Sequence, residues 1–148
     1  MSILIFAFSH TIAELVAKDL IYGEKIFLDS TERAVNDFVQ HTNFADYDYA
    51  LGMGMYSGKD KNEIRIETSC TNQFRRQKDD LKKLEIPYYF HSASGIKLAK
   101  GIGNSYCNLV SYKILSKSPD ARYTFLHIPK SFDSSRAARI IEEQLATL

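Results

Sequence analysis

The chain has 148 residues, 45% of them hydrophobic and 25% charged, with 19 basic against 18 acidic side chains and a formal net charge of +1. That length predicts one domain over residues 1–148, able to bury roughly 70% of its unfolded surface without a metal or disulfide staple. The near-neutral balance excludes the electrostatic footprint of a protein whose main partner is nucleic acid or an anionic membrane.

Two cysteines, Cys70 and Cys107, are too few for a disulfide framework. The N-terminal "MSILIFAFSH" holds a short apolar run, Ile3 to Phe8, without a basic flank or a small-residue cleavage site, so it does not read as a signal peptide. No apolar stretch approaches the ~20 residues that span a bilayer. A reducing, cytoplasmic compartment is the expectation, because free thiols persist there.

The run Ile3 to Phe8 has the pattern of a strand covered on both faces. "HTIAELVAKDLI" follows with Ile12, Leu15, Val16 and Leu20 at helical spacing, and "KIFLD" reads as a second short strand. Ser30 or Thr31 is placed to cap a helix over "ERAVNDFVQHT", whose apolar stripe is Ala34, Val35, Phe38 and Val39. "YDYALGMGM" reads as a strand ending in glycines at a loop, and the alternating "EIRIET" as another strand. "RRQKDDLKKLE" is polar and helix-compatible, and Pro87 then introduces a strand over "YYFH". Residues 104–116 predict a helix and "RYTFLHI" a strand. "DSSRAARIIEEQLATL" predicts a capped terminal helix with Ile140, Ile141 and Leu145 inward. Strands alternating with helices indicate an α/β domain, a three-layer α/β/α sandwich with a mainly parallel central sheet. Functional groups in such sheets gather at the carboxyl ends of strands.

Cys107 lies near the first turn of the helix predicted from about Asn104, where the helix dipole favours thiolate over thiol. His127 follows "YTFL" and precedes Ile128 and Pro129, at the carboxyl end of a buried strand. A base that activates a cysteine nucleophile belongs there, facing the preceding helix's N-terminus. A packing cysteine and a hydrogen-bonded histidine fit the same pattern, and spacing alone leaves both readings open. His10 reads as a surface histidine, and His41 and His91 lack ligand-like partners, so neither a metal nor a cofactor is expected. The glycine pair of "LGMGMYSG" lacks a Walker or dinucleotide fingerprint.

"GNSYCN", Tyr112, "SP" and "FLHIP" together resemble the pyroglutamyl peptidases (pyrrolidone carboxypeptidases), a family of cytosolic cysteine peptidases. That family carries a Gly-Thr-x-x-Cys-Asn segment with a tyrosine five residues after the cysteine, and later a Phe-Ile-His-x-Pro segment. Gly103, Cys107, Asn108, Tyr112, Phe125, His127 and Pro129 fall on those positions. Its Arg-x-x-Ile-x-x-Glu-Arg-x-Ala-x-Asn segment is matched by "KNEIRIETSCTN", with Lys61, Ile64, Glu67 and Asn72 in register and Thr68 and Cys70 replacing the arginine and alanine. The resemblance implies a triad of Cys107 as nucleophile, His127 as base and Glu67 as the orienting carboxylate, with Glu63 the competing acid. Cys70 reads as a small packing residue.

The implied activity is removal of an N-terminal pyroglutamyl residue, or cleavage of a related small amide, from a peptide or small amide substrate. Phe8 preserves part of the family's ring-enclosing N-terminal turn, while Ser9, His10 and Thr11 replace the rest. Met53 and Met55 occupy the glycine loop where the family has a pocket glutamine. Arg75 or Arg76 stands in for a family arginine near the active site, and backbone N–H groups near Tyr106 and Cys107 stabilise the oxyanion. Phe8, Met53, Arg75, Arg76 and Tyr106 are therefore the substrate-binding candidates. The chain is shorter than a typical member, with the missing length in lid and oligomer-contact regions, and a homo-oligomer stays open. The implication is retained catalytic machinery with a rebuilt specificity pocket. The alternative is a degenerate member that binds a peptide or partner without turnover.

Overall fold

Apolar continuity decides the centre of the sheet. In the computed structural model, which describes residues 1–148, every residue of β1 (Ile3–Phe8) is buried. So is every residue of β8 (Tyr123–Pro129), and both strands are covered on two faces. With α1 (Ile12–Asp19), β2 (Glu24–Leu28), α2 (Glu32–His41), β3 (Tyr49–Tyr56), β4 (Ile64–Glu67), β7 (Ile96–Ala99), α3 (Tyr106–Lys117) and α4 (Ser134–Leu145) they build an α/β sandwich. The six-stranded sheet has the order β2-β1-β3-β8-β4-β7. Neighbours are parallel except β4 and β8, which pair antiparallel.

Strand alternation divides the core into two layers. Ile3, Ile5, Leu51, Met53, Leu126 and Ile128 pack with Val16 of α1 and Ile141 of α4. Leu4, Phe6, Phe125 and Tyr123 pack on the other side with Val35 and Phe38 of α2 and Val110 and Ile114 of α3. Each fully buried side chain of this size contributes about 1.5–3 kcal/mol.

Local signals fix the helix starts. Thr11 Oγ1 accepts from Ala13 N at 3.1 Å and donates to the Phe8 carbonyl at 2.8 Å. Thr31, not Ser30, caps α2, accepting from Ala34 N at 3.0 Å, and Asp133 caps α4 from Arg136 N at 2.9 Å. Val35, Phe38 and Val39 are buried on α2, and Ile140, Ile141 and Leu145 on α4. In α1 the sheet-facing positions are Ala13, Val16 and Ala17, whereas Leu15, expected inside, is 54% exposed. Small residues let the helix sit close to the sheet, and the leucine falls outside the contact stripe.

Other expectations are corrected. The glycines of "YDYALGMGM" lie within β3, which continues to Tyr56. "RRQKDDLKKLE" forms no helix; it runs as loop into β6 (Lys83–Glu85), which pairs antiparallel with β5 (Ser69–Thr71). The segment has no apolar stripe to hold a helix against the body. Residues 88–91 form no strand either. Tyr89 N donates to Thr124 Oγ1 at 3.2 Å, and His91 exchanges two hydrogen bonds with the Gln144 amide, so side chains satisfy this backbone. β7 was not anticipated; it is a short edge strand.

Gly52 lies on the α2–α3 face of the sheet, crowded by the rings of Phe6 and Phe125 on the neighbouring strands. A Cβ there would lie 2.9 Å from Phe6 Cε2 and 2.7 Å from Phe125 Cδ2. Gly52→Ala is expected to destabilise the fold by about 1–3 kcal/mol. Urea unfolding would show a lower midpoint with an unchanged slope; an unchanged midpoint would mean that the aromatic layer gives way freely.

Candidate active site

His127 lies near the carboxyl end of β8, on the face that Phe125 shares and that looks toward α3. The antiparallel register sets Arg65 opposite His127 and Glu67 opposite Phe125. Residues two apart on a strand share a face, so Arg65 and Glu67 both reach the imidazole's side of the sheet. His127 Nδ1 lies 2.9 Å from Glu67 Oε1, and Arg65 Nε donates to the same oxygen at 3.1 Å. Glu67 is fully buried, and its Oε2 has no partner. Glu63 instead stands 3.7 Å from Lys97.

Cys107 lies in the first turn of α3, after Ser105, whose side chain makes no capping bond. Its sulfur fits a gap that exists because residue 54 on β3 has no side chain. A Cβ on Gly54 would collide with Cys107 Sγ and lie 3.5 Å from His127 Cδ2. Sulfur and imidazole therefore flank one vacant side-chain position. With Nδ1 engaged by Glu67, the ring edge turned toward that position is the one next to Nε2.

The other expected residues divide. Tyr106 packs at a tilt between Phe8 and Phe74, with ring centroids 6.4 and 5.5 Å away. Arg75 donates to the Tyr106 hydroxyl, and its guanidinium lies 5.2 Å from the Phe74 ring centre. Phe8, Tyr106 and Arg75 thus form one wall beside the cysteine. Arg76 is exposed and makes no side-chain hydrogen bond or ion pair. Met53 is a correction: it is fully buried in the α1–α4 layer, because Gly52 and Gly54 take the positions facing α3. It lines nothing near Cys107.

Three further residues were not among the site candidates, Asn108 having been named only as a motif position. Asn108 is buried and ties down the chain before Phe74. Its Oδ1 accepts from Thr71 N at 2.8 Å, and its Nδ2 donates to the carbonyls of Thr71 and Gln73 at 3.0 and 2.6 Å. Arg65 was legible from its two-residue offset to Glu67. Tyr56, whose ring centre is 6.1 Å from that of His127, carried no signal. No group of three or more His, Cys, Asp or Glu side chains could hold a metal ion, and no helix is long and apolar enough to cross a membrane.

Neither a family model nor a curated protein matches the sequence. Solved structures do match the fold. Pyrrolidone carboxyl peptidase from Thermus thermophilus superposes with a TM-score of 0.79 over 99% of this chain and 100% of that one, at 16% identity. The Thermococcus litoralis pyrrolidone carboxyl peptidase gives 0.73 over 98% and 91%, at 14% identity. Pyroglutamyl peptidase I from Bacillus amyloliquefaciens gives 0.72 over 99% and 95%, at 13% identity. The fold is that of the pyrrolidone carboxyl peptidases.

Within this pyrrolidone carboxyl peptidase fold, two ionisable groups carry opposite perturbations. Burial works to raise Glu67, but hydrogen bonds and charge from His127 and Arg65 outweigh it and hold the carboxyl below its ordinary value. Its contribution to stability is present above the unfolded value of about 4.5 and is lost as pH falls through the lower folded value. For Cys107, burial first and the Glu67 charge second push the thiol up to about 12. Burial thus opposes the dipole-stabilised thiolate expected from the helix start. None of the five principal cavities is lined by Cys107, His127 or Glu67. The largest of them, about 710 Å³, lies between α2 and α3.

Alkylation of Cys107 by iodoacetamide is therefore expected to keep accelerating with pH beyond the ordinary thiol value of about 8.5. A plateau near neutral pH would reveal a stabilised thiolate and contradict the desolvated thiol.

Proposed function

We propose that the protein is a cysteine hydrolase that removes an N-terminal pyroglutamyl or related small acyl group. The carrying observation is the Glu67–His127 hydrogen bond of 2.9 Å beside the Cys107 sulfur, on the side of the sheet where α3 begins. Glu67 holds the His127 proton on Nδ1, which leaves Nε2 to act as the base. Because the resting thiol is neutral, its proton passes to Nε2 as sulfur attacks the substrate carbonyl. The N–H groups of Tyr106 and Cys107, at the start of α3, stabilise the oxyanion. Collapse expels the amine, which takes the proton from His127 and leaves a thioester on Cys107. Water, deprotonated by His127, then releases the acid and restores the thiol.

Phe8, Tyr106 and Arg75 form the wall against which the acyl group rests. Phe74 packs against Tyr106 and extends that wall. The reading implies a peptide or small amide substrate, no metal or cofactor, and a reducing, cytoplasmic setting. It carries a homo-oligomer only as an expectation from the fold.

A second reading has a specific observation behind it. The thiol is protonated and no principal cavity opens on it, as suits a chain that binds a peptide without cutting it. Hydrolysis of a fluorogenic pyroglutamyl amide separates the two. Turnover is expected in the wild type, with Cys107→Ala inactive and His127→Ala reduced roughly 10³-fold or more. Glu67→Gln is expected to lose about 10²–10⁴-fold. An inactive wild type that still binds pyroglutamyl peptides would establish the binding reading instead.

A further inference from the structure

Two donors converge on one oxygen of a carboxylate that water does not reach. Arg65 is held at three points: Nε on Glu67 Oε1, Nη2 on the Lys100 carbonyl at 2.8 Å, and its guanidinium 4.6 Å from the centre of the Tyr56 ring. Its side chain is 13% exposed. An exposed ion pair would exchange freely with water and contribute little. This one is fixed by a carbonyl, an aromatic face and a buried carboxylate.

We infer that Arg65 is the positioning residue of the site: it keeps Glu67 ionised while His127 is neutral, and so keeps the imidazole proton on Nδ1. The inference rests on the triad reading above. A buried carboxylate whose only partner is a neutral imidazole is driven by desolvation to take up a proton. Once protonated it no longer offers Nδ1–H a charged acceptor. Arginine prevents this because it stays charged at every working pH.

The surroundings contain no substitute. From β8 the facing titratable group is His127, from α3 the neutral thiol of Cys107, and from β3 Tyr56. Lys97 on β7 is engaged by Asp60 and by Glu63. Arg65 is thus the permanent positive charge bonded to Glu67. It also binds side-on. Arginine–carboxylate pairs are frequently bidentate, whereas Arg65 shares Oε1 with His127 and leaves Oε2 unpaired. When Nε2 receives the thiol proton, the ionised Glu67 stabilises the imidazolium without taking the second proton itself.

The test uses the full chain with Arg65→Met and Arg65→Lys, checked for folding by circular dichroism. Arg65→Gln serves if the methionine variant does not fold. Long-range ¹H–¹⁵N spectra of His127 between about pH 5 and pH 9 report which ring nitrogen holds the proton. The pH profile of kcat/KM on the pyroglutamyl amide is measured beside them. Without Arg65, burial raises Glu67, and His127 is expected to lose its single Nδ1–H form. The acidic limb of the profile should move up by about one unit, which is a tenfold loss at a pH on that limb, while the alkaline plateau falls less. Arg65→Lys should restore most of both. An unchanged His127 tautomer, or an equal loss of activity at every pH, would overturn the inference. A wild type without turnover would count against the hydrolase reading alone, since the His127 spectra judge Arg65 without substrate.

Discussion

The antiparallel pairing of β4 with β8 is the constraint on which the site depends. In a wholly parallel sheet, functional groups arise at one set of strand ends. Here β4 runs against its neighbour, so Arg65 pairs with His127 and Glu67 with Phe125. The carboxylate thereby reaches the imidazole from inside the sheet, where it is fully buried. Burial of a charge is tolerated only with donors at hydrogen-bonding distance. The donors are His127 and Arg65, which tie the local fold to the chemistry.

Tight packing explains why the thiol behaves as it does. The helix-terminal dipole contributes about 0.3–1 kcal/mol, up to about 2 in partly buried geometries. Moving the thiol from an ordinary 9.0 up to about 12 corresponds to about 4 kcal/mol against the thiolate. Desolvation wins by that comparison. The gap at Gly54 lets the sulfur of this half-buried residue sit against the sheet, where the surrounding packing leaves less water to stabilise a thiolate. A desolvated thiol relies on a neighbouring base for any proton transfer, and His127 flanks the same gap.

Much of this was legible in the sequence, for physical reasons that differ by element. β1 and β8 announced themselves because double burial demands unbroken apolar runs, and three helices because their caps are encoded by single residues. Cys107 and His127 stood out as residue types at a helix start and a strand end, Glu67 through the family resemblance, and Glu67 lies 2.9 Å from His127. Less was visible where structure depends on partners distant in sequence. β5, β6 and β7 are short, and nothing within them distinguishes a strand from a loop. Met53 was misassigned because the glycines on either side looked like a loop. In fact they are strand residues whose missing side chains admit Phe6, Phe125 and Cys107. The protonation of the thiol could not be read from sequence, since desolvation is a property of the packed neighbours.

Adjacent residues at the start of α3 face two tasks. Cys107 points its sulfur toward the gap at Gly54, while Asn108 grips the backbone of residues 71 and 73 with three hydrogen bonds. That backbone leads directly to Phe74 and Arg75, which close over Tyr106, and Arg75 N donates to the Asn104 carbonyl at 2.6 Å. The loop and the helix start are therefore cross-linked at both ends of the same short segment. A shift of α3 that opened the sulfur to solvent would carry the loop with it, because buried amide partners cannot be left unpaired without cost. Movement of the Phe74 and Arg75 side chains, by contrast, leaves those amide bonds intact. Arg75 is exposed and adopts a left-handed φ of 61°, so its backbone is already strained in the closed arrangement. Asn108 thus anchors the rigid side of this junction, and Arg75 carries its strain.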